Sequence, residues 1–216
     1  MLVTDFLRRI LLSLSFVSGT TINLLTPDVL ISCVKVSSIC AVSAAAAAAP
    51  RRLPKVYGVL LYDYFTTLDV MGPLSYFNNL PDVEVFFIHN SVNATPSGNV
   101  TSFDDVYVGQ FYKSVYTLDN APPLDVLVVP GSFTGTGPGI KQGIWAEYIK
   151  KVYPSVQYIF SVCTGSGFVA ASGILDGRRA TTNKGAYKFI KTLGPKVRWV
   201  PEARWVVDGN IWTSSG

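Results

Sequence analysis

Ser161-Val162-Cys163-Thr164-Gly165-Ser166-Gly167 is the stretch that decides the fold. The apolar run Gln157 to Val162 reads as a buried strand and Thr164 to Gly173 as a helix, so the cysteine falls on the corner between them. Small residues, Ser161 and Gly165, stand two positions to either side. A nucleophile elbow needs that spacing, because its sharp turn leaves no room for bulk at the flanks. Amides at a helix start favour an anion, which predicts a lowered thiol pKa and a reactive thiolate. A lone cysteine is also commonly a buried core residue, and spacing alone leaves both readings open.

Outward from the elbow, strands and helices alternate. Val56 to Tyr62 and Val83 to His89 read as buried strands, and Asp125 to Val129 as a central strand ending at Pro130-Gly131. Val100 to Val108 reads as an excursion or hairpin strand. Helices are predicted over Leu68 to Leu80, with Gly72-Pro73 near its first turn, over Ile140 to Tyr153, and around Ala186 to Leu193. Ile144, Trp145, Tyr148, Ile149 and Val152 give the second of these an apolar face at helical spacing. Arg204 to Val207 and Ile211 to Ser214 flank Asp208-Gly209, a pair that favours a type I′ hairpin turn. The alternation predicts an α/β fold, a three-layer sandwich around a central, mostly parallel sheet. No repeat or linker divides residues 55–216, which read as one domain.

Residues 1–54 differ from the rest. A basic start ending at Arg8-Arg9, the apolar stretch Ile10 to Val17 and a six-alanine run before Pro50 fit a cleaved secretory signal. They also fit an unstructured extension, and Val29 to Ala49 is long enough for a membrane anchor but poor in composition because of Lys35. The compartment stays open between cytoplasm and secretion. Entry into the secretory pathway would make Asn93 and Asn99 glycan acceptors.

Composition excludes several classes. With 49% hydrophobic and 15% charged residues among 216, the chain is that of a folded protein. The formal charge of +4 is spread thinly, with no basic run longer than a pair, which argues against nucleic acid as a partner. Three cysteines, Cys33, Cys40 and Cys163, imply no disulfide framework. The single histidine, His89, rules out a histidine-rich metal site, and it reads as structural or surface.

Four segments carry a resemblance, in order: LYDYFTTLDVMGP (61–73), LDVLVVPGSFTG (124–135), SVCTGSGFVAASGILDGRRATTNKGA (161–186) and ARWVVDGNIWTSSG (203–216). Together they resemble the ThiJ/PfpI family of the class I glutamine amidotransferase-like superfamily, and within it the isonitrile hydratase-like branch with its fungal members. The resemblance implies a flavodoxin-like sandwich in which Cys163 is the nucleophile and Asp69 the acidic residue facing it. Thr164 matches the threonine of that branch, where peptidase-like members carry histidine. Gly131, Ser132 and Gly165 fall where backbone amides are expected to receive an oxyanion or substrate. Relatives continue beyond Gly216 into a last helix, so the resemblance also implies a shortened domain with an apolar face laid bare. It implies homodimers and a small-molecule substrate, with no cofactor.

Departures narrow the chemistry. Thr164 and Thr181-Thr182-Asn183 stand where Cys-His members place histidine, which disfavours peptidase or glyoxalase reactions. An ionised Asp69 beside a thiolate would repel it, so the useful state holds one shared proton. Aspartate just before Val70-Met71 is also a good helix cap, and that alternative stays open. The expected reaction is attack of Cys163 on a small electrophilic carbon, an isonitrile matching best, with Asp69 and Thr164 managing proton and water. The alternative is a redox or stress-response protein that uses an oxidisable Cys163.

Overall fold

The computed structural model describes residues 52–97, 99–100, 107–108 and 110–216, all within the compact unit Ala49–Gly216. The readings for residues 1–51 and for the middle of the excursion, 101–106, lie outside the described residues.

Along the chain, β1 (Val56–Leu60) leads into α1 (Thr67–Phe77) and β2 (Glu84–His89). Five short strands follow: β3 (Ala94–Pro96), β4 (Asn99–Val100), β5 (Tyr107–Val108), β6 (Phe111–Lys113) and β7 (Tyr116–Thr117). Next come β8 (Val126–Val129), α2 (Thr136–Gln142), α3 (Ile144–Val152) and β9 (Tyr158–Ser161). A 3-10 turn, Cys163–Gly165, runs into α4 (Ser166–Ala171), followed by β10 (Arg179–Ala180), α5 (Tyr187–Leu193) and β11 (Arg198–Trp199). The hairpin β12 (Trp205–Asp208) and β13 (Ile211–Ser214) closes the chain.

Seven strands form the main sheet in the order β12-β13-β9-β8-β1-β2-β7, and every neighbouring pair except β12 with β13 is parallel. Apolar, β-branched side chains fill β1, β8 and β9 because these strands are covered on both faces; Val59, Leu127, Val128 and Ile159 are fully buried. Register places Tyr57, Val126 and Tyr158 on one face, where the Phe77 ring of α1 packs 4.7 Å from Tyr57. Trp212 and Val207 continue that face, and with Trp205 they stay exposed. At the opposite end of the strands from the elbow, Asp125 ties the start of the sheet together. Its carboxylate accepts from the Lys55 and Val56 backbone N–H groups, the Gln157 amide and both terminal nitrogens of Arg52.

Several local readings are corrected. The helix predicted over Ile140 to Tyr153 is two, broken at Gly143, whose φ of 74° is left-handed and stops the first helix. Pro73 lies inside α1, not in its first turn, because the helix already begins at Thr67. The hairpin turn is Gly209-Asn210, since Asp208 pairs with Ile211; Gly209 alone takes positive φ, at 62°, the type II′ pattern instead of I′. The helix after the elbow starts as a 3-10 turn and becomes α-helical only at Ser166.

Candidate active site

β9 delivers the chain to Cys163, whose φ of 58° is a conformation that side-chain-bearing residues seldom adopt. The bend is made possible by backbone-to-backbone contact with the end of β8. A Cβ on Gly165 would lie 2.2 Å from the Val129 carbonyl oxygen, and one on Gly131 would lie 2.6 Å from the Thr164 nitrogen. The Thr182 hydroxyl donates to the Cys163 carbonyl at 3.1 Å and clips the bend from the other side. Cys163 is 3% exposed.

Asp69 is the third residue of α1, and it is buried. Thr66 takes the cap position without a side-chain bond, and the Asp69 carboxylate binds the distant Gly131 N–H, so capping is not its task. It accepts the Gly131 N–H at 3.0 Å, and a Cβ on Gly131 would lie 2.8 Å from that of Cys163. Burial pushes its carboxyl pKa up, opposed by the Gly131 N–H and by the nearby Cys163 thiol.

The Cys163 thiol is pushed up from 9.0 to about 11, first by burial and then by the neighbouring Asp69 charge. The Thr164 N–H and the Asn183 side chain pull the other way and do not win. This corrects the expected lowering by the helix start. A three-residue 3-10 turn followed by a six-residue helix offers few aligned peptide dipoles, while the sulfur has lost nearly all its water. The resting sulfur is therefore a thiol beside the Asp69 carboxyl.

Thr164 is brought beside the cysteine, but its hydroxyl serves the backbone. It accepts the Ser132 N–H at 2.7 Å, donates to the Ser132 carbonyl at 2.8 Å and lies 2.8 Å from the Thr136 hydroxyl. The three amides expected to receive an oxyanion already donate within the protein: Gly131 to Asp69, Ser132 to Thr164, and Gly165 to the Val162 carbonyl. Gly131 and Ser132 thus act here as the brace that joins Asp69 to the elbow.

Two contributors escaped the sequence reading. Asn183, on the segment after β10, pulls the thiol pKa down. Ser215 and Gly216 close over the site: a Cβ on Gly216 would lie 2.9 Å from the Cys163 Cβ. The Asn-Lys-Gly run before a helix is a capping signal, but nothing local tells which side chain it will face.

His89 stays apart from this constellation. The Ser91 N–H donates to its Nδ1 at 3.2 Å, its Nε2 lies 3.7 Å from an Asp63 carboxylate oxygen, and its ring packs 5.3 Å from Trp145. Burial lowers its pKa, against the Ser91 backbone and Asp63. Among the described residues no group of three or more His, Cys, Asp or Glu could hold a metal ion, and no helix is long and apolar enough to cross a membrane.

Comparison with known proteins places this geometry. The DJ-1/PfpI family profile matches residues 55–216. The chain belongs to the DJ-1/PfpI family. Within it, the chain is 33% identical over 160 residues to an isonitrile hydratase of Pseudomonas putida, a match spanning 74% of this chain and 64% of that protein. It is 28% identical over 171 residues to the HTH-type transcriptional regulator GbdR of Pseudomonas aeruginosa, spanning 76% of this chain and 43% of the regulator. The chain thus covers less than two thirds of either relative. A solved ThiJ/PfpI family protein from Pseudomonas syringae superposes with a TM-score of 0.65 at 24% identity, over 83% of this chain and 69% of the other, and shows the shared DJ-1/PfpI fold.

Proposed function

We propose that this DJ-1/PfpI protein is a cysteine-dependent enzyme acting on a small electrophilic carbon compound, with hydration of an isonitrile to an N-substituted formamide as its reaction. The observation that carries the reading is Cys163 held at a left-handed elbow against Gly131, whose N–H binds the buried Asp69 carboxylate. Similarity to an isonitrile hydratase supports the choice of substrate.

A thiol near pKa 11 is a poor nucleophile at neutral pH until its proton is taken. In this reading Asp69 takes that proton as the sulfur attacks the terminal isonitrile carbon, and returns it to the same carbon. The product is a thioimidate, R–N=CH–S, on Cys163. Water then adds to the CH carbon, the nitrogen gains a proton, and the carbon–sulfur bond breaks to release R–NH–CHO and the free thiol. The Thr164 N–H favours the thiolate, and its hydroxyl, through Ser132, holds the Asp69 brace in register.

Redox sensing is less well supported, because oxidation favours exposed thiolates and this sulfur is a buried thiol. Incubation of the whole chain with cyclohexyl isocyanide, following the formamide, tests the proposal. Turnover that disappears in Cys163→Ser is expected; no turnover above that control rejects the substrate.

A further inference from the structure

In the main sheet β9 runs between β13 and β8, so the cysteine that follows it emerges between the ends of two neighbouring strands. A glycine lies just past each of them. A Cβ on Gly131, past β8, would lie 2.8 Å from the Cys163 Cβ; one on Gly216, past β13, would lie 2.9 Å from that Cβ and 3.3 Å from the sulfur. Side chains do not pack so closely, so bare backbone walls the cysteine on both flanks, and Gly216 holds a φ of 88° that suits glycine. Gly216 is itself exposed, whereas Cys163 is not. Its neighbour Ser215 is buried and tied down three times. The Ser215 N–H donates to the Arg204 carbonyl at 2.9 Å, the Arg204 guanidinium donates to the Ser215 hydroxyl at 2.9 Å, and the Asn183 carboxamide donates to the Ser215 carbonyl at 3.3 Å.

We propose that Ser215–Gly216 is a steric gate on Cys163: latched, it admits a slender electrophile that arrives end-on and shuts out a broad one until the latch opens. This rests on the reading of Cys163 as a nucleophile and narrows the substrates it takes. The terminal carbon of an isonitrile is bonded to nitrogen alone, with its substituent in line behind it. A trigonal carbonyl carbon carries two groups beside the point of attack, and these meet the glycine walls. Selection is by shape, because the walls are backbone and offer no charge. The bond between Arg204 and the Ser215 hydroxyl joins two side chains, so the latch can be weakened without altering the backbone that carries Gly216.

Methyl and benzyl methanethiosulfonate, which share one chemistry and differ in width, read the gate on the full chain. Each modifies the thiol at a rate followed by mass spectrometry on the peptide that carries Cys163, and the benzyl-to-methyl ratio is compared with that of glutathione. The ratio cancels thiol acidity and leaves access. Expected in wild type is a ratio about tenfold or more below that of glutathione, since the broad reagent must wait for local opening. Ser215→Ala and Arg204→Ala each cut the side-chain latch and should raise the ratio about fivefold, the weight of one hydrogen bond in an opening equilibrium, with a thermal melt close to wild type. A wild-type ratio equal to that of glutathione, no labelling by the methyl reagent, or an unchanged ratio in a folded variant overturns the proposal. Where neither variant folds, the wild-type ratio decides. Because the readout is access to the thiol and not turnover, an absence of isonitrile hydration would sink the substrate reading and leave the gate standing.

Discussion

Removing the charge of Asp69 is predicted to have opposite effects on the thiol and on the reaction. The carboxylate is the second cause, after burial, that holds the Cys163 thiol up. Asp69→Asn should therefore lower that pKa and speed iodoacetamide labelling at pH 8, while formamide production falls about a hundredfold or more for want of a proton acceptor. Labelling that slows instead would contradict the repulsion between the two groups. Linkage gives a second expectation. From pH 9.0 to about 11 the unfolded chain has lost the thiol proton while the folded chain keeps it, so the folded state binds more protons and stability declines as pH rises through that window. Urea midpoints across that range should fall less steeply in Cys163→Ser than in wild type. The place of Cys163 on a strand-to-helix corner was legible from spacing, and that of Asp69 near it only from resemblance. The sign of the thiol shift was not, because it depends on how thoroughly the rest of the fold excludes water from the sulfur. The pull of Asn183 on the thiol escaped for a related reason: it comes from twenty residues away across a crossover.

Among the elements, the join between β8 and the elbow is the most sensitive. Thr164→Val deletes the hydroxyl that serves both the Ser132 N–H and the Ser132 carbonyl, leaving buried polar groups without partners. A loss of about 1–3 kcal/mol is expected, seen as a lower Tm. Gly131→Ala would press a methyl against the Thr164 nitrogen at 2.6 Å, and a comparable or larger loss should appear in the same melt, with activity reduced because Gly131 also holds Asp69. Strand and helix alternation was readable because β1, β8 and β9 are short apolar runs with turn residues between them. Their interruptions were less so. Hydrophobic spacing continues across Gly143 as though one helix spanned it, and only the left-handed backbone there divides α2 from α3. The one-residue shift of the final turn arose because Asp208 pairs in the ladder, with its carboxylate accepting the Arg179 N–H across from it.

Across the whole molecule, the pairing of Asp125 at one end of the sheet gives a handle on acid stability. Burial alone would raise its pKa, but the Lys55 N–H, the Gln157 amide, the Val56 N–H and Arg52 together bring it below the ordinary carboxylate range. Its contribution is fully present above the unfolded-state carboxyl pKa and is lost as pH falls through the lower, folded one. Asp125→Asn should thus reduce stability at neutral pH and flatten the acid limb of a urea-midpoint curve; an unchanged limb would mean the carboxylate is not tied as described. The Arg52 guanidinium is largely exposed, so the backbone donors carry most of this effect. At the other end of the sheet, the backbone of the Cys163 bend is secured by the Thr182 hydroxyl and by glycine-to-backbone packing, not by sulfur chemistry. The machinery can accordingly be disarmed without being dismantled. A serine at position 163 should therefore leave the thermal melt close to that of wild type, which makes that variant a fair blank for any assay of the native protein.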